Sequence, residues 1–157
     1  MRLQAGTHAY EWHDDWATYP DTAARRDGWA HPGVAVSSAN EIFTVHPGEP
    51  TVLVFGQDGV LRRTIRTELI EGHGIALTRE GDSEFLWIAD NGSKRMKQDG
   101  KVVQSGGVGG QVVKMTMDGR VVMALERPPI PAYAEGVYSP TGVAVNDDSR
   151  GGNGDVW

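Results

Sequence analysis

The chain has no cysteine among its 157 residues. That excludes a disulfide scaffold, a thiolate metal site and a thiol nucleophile, and it leaves the cellular compartment unassigned. Apolar runs are short as well. None approaches the ~18 residues a membrane-spanning helix needs. Residues 1–10 are polar and lack the apolar segment of a signal peptide. Positive charge is scarce, with 15 Lys and Arg against 21 Asp and Glu, for a net charge of −6. A nucleic-acid binder presents a basic face to phosphates, so this balance argues against a nucleic-acid partner.

What is abundant is glycine: 21 residues, nearly twice the usual ~7% share. The glycines follow no three-residue period, so the chain is not collagen-like. The hydrophobic share of 39%, with 5 tryptophans, is too high for wholesale disorder. Period-2 apolar runs predict strands over residues 33–36, 41–45, 51–55, 61–65, 74–78, 85–89, 111–117 and 121–126. The pairs Asp58-Gly59 and Asp118-Gly119 fall between runs and predict two-residue hairpin loops with φ > 0 at both positions. One short helix is expected over residues 22–27, with Asp21 as N-cap and Gly28 just beyond its end.

A repeat organises these strands. Gly33-Val34-Ala35-Val36, Gly74-Ile75-Ala76-Leu77 and Gly142-Val143-Ala144-Val145 are one element three times, each followed by a turn and a second apolar strand. Gly33 and Gly74 lie 41 residues apart, the length of one four-stranded propeller blade. Gly74 and Gly142 lie 68 apart, which implies an insertion placed at residues 91–110, polar and rich in glycine. The expected fold is all-β, an incomplete propeller with an N-terminal arm over residues 1–28. Blades are expected over 29–70 and 71–127, and the start of a third over 139–157. Such sheets protect their edges by closing a ring of 4–8 blades, so the chain reads as a fragment whose partners include the missing blades.

The phrases Glu71-Gly72-His73-Gly74-Ile75-Ala76-Leu77, Phe85-Leu86-Trp87-Ile88-Ala89-Asp90 and Ser139-Pro140-Thr141-Gly142-Val143-Ala144-Val145 resemble blades of NHL-repeat propellers of the six-bladed type. Within that group they look most like the peptidyl-α-hydroxyglycine α-amidating lyases. The resemblance implies a zinc ion held in the central channel by three histidines, with His73 at one ligand position. The residues themselves point the same way, because His73 sits between two glycines at an inner-strand start and neutral imidazole is the commonest zinc ligand. The alternative is a histidine that merely packs at the channel mouth. The resemblance also implies a calcium ion held through the backbone carbonyls of Val34 and Ile75. It implies a small-molecule or peptide substrate, cleaved to a peptide amide and glyoxylate. A zinc or calcium site would be incomplete within this chain. The pattern departs at His46-Pro47-Gly48-Glu49, where Pro47 takes the place of an arginine that holds the substrate carboxylate. By the same resemblance the family's catalytic tyrosine is expected beyond Trp157, and two of the three zinc histidines further on. A non-catalytic ligand-binding propeller and a sugar-lactonase-like hydrolase are the competing expectations.

Other features read as structural. His46 is expected in a solvated turn, and His31 as a structural residue with a channel role as the alternative. Trp12, Trp16, Tyr19 and Trp29 are expected to tuck the arm against the body rather than to bind sugar or peptide. Asp14-Asp15 and Asp147-Asp148 read as solvated. The run Gly106-Gly107-Val108-Gly109-Gly110 precedes a strand, so it lacks the helix a phosphate-binding loop requires. The basic residues Lys94, Arg95, Lys97 and Lys101 are expected on a flexible loop, with an anionic ligand as the lesser option. Asn91-Gly92-Ser93 is a formal glycosylation sequon.

Overall fold

The computed structural model describes residues 1–107 and 109–157. Val108, inside the glycine run, lies outside the described residues. The chain opens with a hairpin of β1 (Arg2–Ala5) and β2 (His8–Glu11), followed by α1 (Ala23–Asp27) and β3 (Gly28–Trp29). Next come β4 (Val34–Val36), β5 (Ile42–Val45), β6 (Thr51–Phe55) and β7 (Leu61–Arg66). The second half holds β8 (Gly72–Glu80), β9 (Ser83–Asp90), β10 (Ser93–Gln98), β11 (Lys101–Gly106), β12 (Gln111–Thr116) and β13 (Val121–Leu125). The all-β expectation holds. The strands form four antiparallel sheets: β1-β2, β11-β10-β3, β4-β5-β6-β7 and β8-β9-β12-β13.

Two of these sheets are four-stranded meanders, and their alternation explains the core. Phe43, Val45, Val52, Val54 and Ile65 of the first share one buried cluster with Leu86, Ile88, Val113 and Met115 of the second. The intervening residues face the other way. In the second sheet Trp87, Ala89 and Val112 bury that opposite face under Val143, Val145 and Val156. Both faces are therefore covered, which is why β9 reads as a continuous apolar run. On the far side of the first sheet, the rings of Trp16 and Tyr19 lie 6.4 and 5.3 Å from Phe55. Trp16 Nε1 also donates to the carbonyl of Gln57 at 3.0 Å. Trp12 and Trp29 stay half exposed.

The third repeat is thinner than the first two. It contributes one antiparallel bridge, Val145 to Val156, closed by Ala144 and Trp157 exchanging backbone hydrogen bonds.

Three local expectations need correction. The helix is capped by Thr22, whose side chain accepts from Arg25 N. Asp21 instead pairs with Arg26. The insertion is ordered: residues 93–106 form the hairpin β10–β11, and β10 also pairs with β3. Its turn is an Asp-Gly two-residue loop with φ > 0 at both positions, Asp99 at φ 49° and Gly100 at φ 73° between the paired residues Gln98 and Lys101. The third correction concerns the other Asp-Gly pairs. At Asp58-Gly59 and Asp118-Gly119 only the glycine has positive φ. Each ends a longer loop with a bulge, where Gly59 N bonds Gly56 O and Gly119 N bonds Thr116 O.

Candidate functional site

The repeat glycines bring the starts of the inner strands together. Gly33 N donates to His73 O at 2.6 Å. A Cβ on Gly33 would lie 3.0 Å from Ile75 N, and one on Gly74 would lie 2.7 Å from Gly142 Cα. A side chain at Gly74 would block this approach, and one at Gly33 would crowd it. His73 is thus flanked by the first repeat on one side and the third on the other.

His73 lines a cavity of about 300 Å³ together with Trp29, His31, Glu71, Asn91, Arg95, Gln104 and Thr141. Its Nδ1 lies 3.1 Å from the carbonyl oxygen of Thr141. A carbonyl only accepts, so this bond places the ring proton on Nδ1 and leaves Nε2 as the free lone pair. The His31 ring sits 5.9 Å from the His73 ring, and Trp29 meets His31 edge-on at 6.4 Å. Val34 and Ile75, the expected carbonyl ligands, lie on β4 and β8, each at the end of its sheet, so one flank of each strand is outside the ladder. A larger cleft at Gly107, Gly110 and Tyr138 holds no histidine.

Glu71 was not legible as a site residue, and it forms the floor of the cavity. Its side chain is 5% exposed and pairs with Lys94 Nζ at 3.2 Å. Arg95 N donates to the same oxygen at 3.2 Å and Asn91 Nδ2 to the other at 3.4 Å. A buried ion pair offsets its desolvation only when the remaining lone pairs are also satisfied, and here they are. Lys94 further donates to Pro47 O. The sequon residue Asn91 is half-buried in this network, its Oδ1 accepting from Ser93 N.

His46 corrects the expectation of a solvated turn: it is 3% exposed. Its Nδ1 accepts from Gly48 N and Glu49 N at 3.1 and 3.0 Å, and its Nε2 is buried with no partner among the described residues. Asp90, at the equivalent place in the second sheet, also accepts from the amide two residues on, Gly92 N, and in addition from Ile70 N and Glu71 N, so His46 is a neutral counterpart of that carboxylate at the turn. Burial pushes the His46 pKa below its ordinary 6.5, helped by Lys94 and Arg25 and opposed by Glu49. A depressed pKa means the unfolded chain binds the proton first. His46 therefore contributes stability above about pH 6.5, lost as pH falls below it. Urea midpoints between pH 7.5 and 5.5 should drop more in the native chain than in His46→Asn, whose Oδ1 accepts without titrating. Parallel curves would remove this role.

Asp147 is likewise more than a solvated carboxylate. It accepts from Ser149 N at 2.8 Å and from Arg79 N at 3.2 Å, tying the third repeat to β8. Those backbone donors, Ser149 first, hold its pKa below the usual carboxylate range.

Among the described residues, no group of three or more His, Asp or Glu side chains converges as a metal site. No family model, curated protein or solved structure matches this chain.

Proposed function

We propose that the two meanders are blades of an NHL-like β-propeller, with residues 142–157 opening a third. In this reading His73 is a zinc ligand in the channel of a lyase resembling the peptidyl-α-hydroxyglycine α-amidating lyases. The ordered contact of Gly33 with Ile75, and of Gly74 with Gly142, supports the ring, because equivalent positions of successive repeats then stand side by side. The observation that carries the metal reading is the bond from His73 Nδ1 to Thr141 O. Ligating histidines characteristically donate their second nitrogen to a carbonyl or carboxylate, which fixes the tautomer and aims the other nitrogen at the metal.

The His31 ring, 5.9 Å from that of His73, would supply a second imidazole in this reading, and further ligands would come from other blades of the ring. Zinc bound there would polarise the substrate hydroxyl so that a base can remove its proton. The chain's own residues supply positioning: Thr141 O orients His73, and the Glu71–Lys94 pair holds the turn below it. Glu71 spends both oxygens on that network, so it is not a free base. This also weighs against a sugar-lactonase-like site, which needs unengaged carboxylates around calcium. A calcium ion on the Val34 and Ile75 carbonyls fits the unpaired flanks of β4 and β8, since carbonyl oxygens suit a hard cation. A non-catalytic binding propeller is the second reading, favoured by the half-exposed Trp29 beside the cavity.

Zinc titration against a chromophoric chelator tests the assignment. His73→Ala is expected to weaken zinc binding by about tenfold or more, at least the loss seen when an outer-shell partner is removed. Unchanged affinity would remove His73 from the site. Glyoxylate release from a peptidyl α-hydroxyglycine then separates the lyase from the binding module.

A further inference from the structure

The hairpin β10–β11 has no counterpart in the first sheet, where β5 passes directly to β6. It carries Lys94, Arg95, Lys97 and Lys101 against a single acid, Asp99, in a chain of net charge −6. Two of these four charges are engaged. Lys94 is held by Glu71, and Lys97 lies over the Trp29 ring at 5.9 Å. Arg95 is different. Its Nε donates to the neutral Gln104 at 3.4 Å, and among the described residues no carboxylate stands within ion-pair distance of it.

Register explains where Arg95 points. In the sheet β11-β10-β3, Arg95 is the direct cross-strand partner of Gln104 on one side and of Trp29 on the other. Directly opposed residues project from the same face of a sheet. All three line the cavity that holds His31 and His73. An indole, a guanidinium and a carboxamide therefore stand in one row across three strands. A guanidinium offers a planar fork that matches a carboxylate. The half-exposed indole offers a flat apolar surface to whatever the carboxylate is attached to. A volume of about 300 Å³ admits only a small molecule.

We propose that this row is a binding site for a small organic carboxylate with a planar body, the anion on Arg95 and the body against Trp29. The site uses no metal, so it stands or falls separately from the zinc assignment.

Calorimetric titration of the zinc-free protein with benzoate, benzamide and inorganic phosphate tests it. Benzoate should bind, with benzamide and phosphate each weaker by about tenfold or more, because one lacks the charge and the other the ring. Arg95→Gln should reduce benzoate affinity by a similar factor, Arg95→Lys should recover part of it, and Trp29→Leu should bring benzoate down to the level of phosphate. Unchanged far-ultraviolet circular dichroism in Arg95→Gln establishes that the loss is local, as expected for an exposed side chain. Absent benzoate binding at millimolar concentration, equal binding of benzamide, equal binding of phosphate, or an indifferent Arg95→Gln would each overturn the proposal.

Discussion

Replacing Asp90 by alanine is expected to destabilise the chain by about 4 kcal/mol, since buried donors deprived of a charged acceptor cost about 1–3 kcal/mol each. The Asp90 side chain is 1% exposed and accepts three backbone bonds, from Ile70 N and Glu71 N at 2.9 Å and Gly92 N at 3.0 Å. The bonds from Glu71 N and Gly92 N are buried and that from Ile70 N is part-buried, so loss of the carboxylate leaves donors shielded from water. Asp90→Asn should lose about half as much, because its Oδ1 still accepts while its amino group meets a donor. Urea unfolding measures the difference. Hydrogen exchange at the Glu71 and Gly92 amides locates it, and protection that survives in Asp90→Ala would mean the turn is held by something else. Effects should reach the cavity too, because Asp90 fixes the backbone that carries Glu71 and begins the approach to His73.

The pairing of Asp90 with His46 shows where sequence reasoning succeeded and where it stopped. Alternating apolar residues announced the eight strands of the two meanders, because period 2 reports which face is buried and needs no partner to be known. The glycine repeat announced which strands begin alike. Neither signal says what a side chain at the end of a strand bonds to. His46 therefore read as a turn residue in water, although it occupies the post after β5 that Asp90 occupies at the end of β9. Aligning the two repeats through Phe43-Thr44-Val45-His46 and Trp87-Ile88-Ala89-Asp90 would have suggested a capping role. The insertion was misread for a simpler reason. Asp99-Gly100 is the same turn signal as Asp58-Gly59 and Asp118-Gly119, but the polar residues around it lack an apolar alternation. That hairpin is held by pairing to β3 and by Lys94 on Glu71, contacts distant in sequence. Glu71 is not legible as a site residue on the same account, and the basic run that includes Arg95 suggests an anionic ligand only as the lesser option, since only the register of β3 on β10 places Arg95 beside Trp29.

Gly74→Val is expected to cost about 3 kcal/mol, the upper part of the range for forcing extra atoms into a packed interior. Gly142→Ala, at the equivalent position of the next repeat, is expected to stay within about 0.5 kcal/mol. Identical motifs thus acquire opposite tolerances. A Cβ on Gly74 would sit 2.7 Å from Gly142 Cα, 2.9 Å from Thr141 O and 3.2 Å from Val143 N, all backbone atoms that cannot rotate away. A Cβ on Gly142 meets nothing within 4 Å. Relief of the first clash requires β8 and residues 141–143 to separate, which stretches the bond from His73 Nδ1 to Thr141 O. If His73 holds zinc as proposed, loss of stability in Gly74→Val should come with loss of zinc affinity even though His73 itself is unchanged, whereas Gly142→Ala leaves both intact. Equal urea midpoints for the two variants would mean that the inner strands do not meet through these glycines. A destabilised Gly74→Val that binds zinc as the native chain does would instead detach the proposed metal site from Thr141, and with it the proposal that the third repeat orients His73.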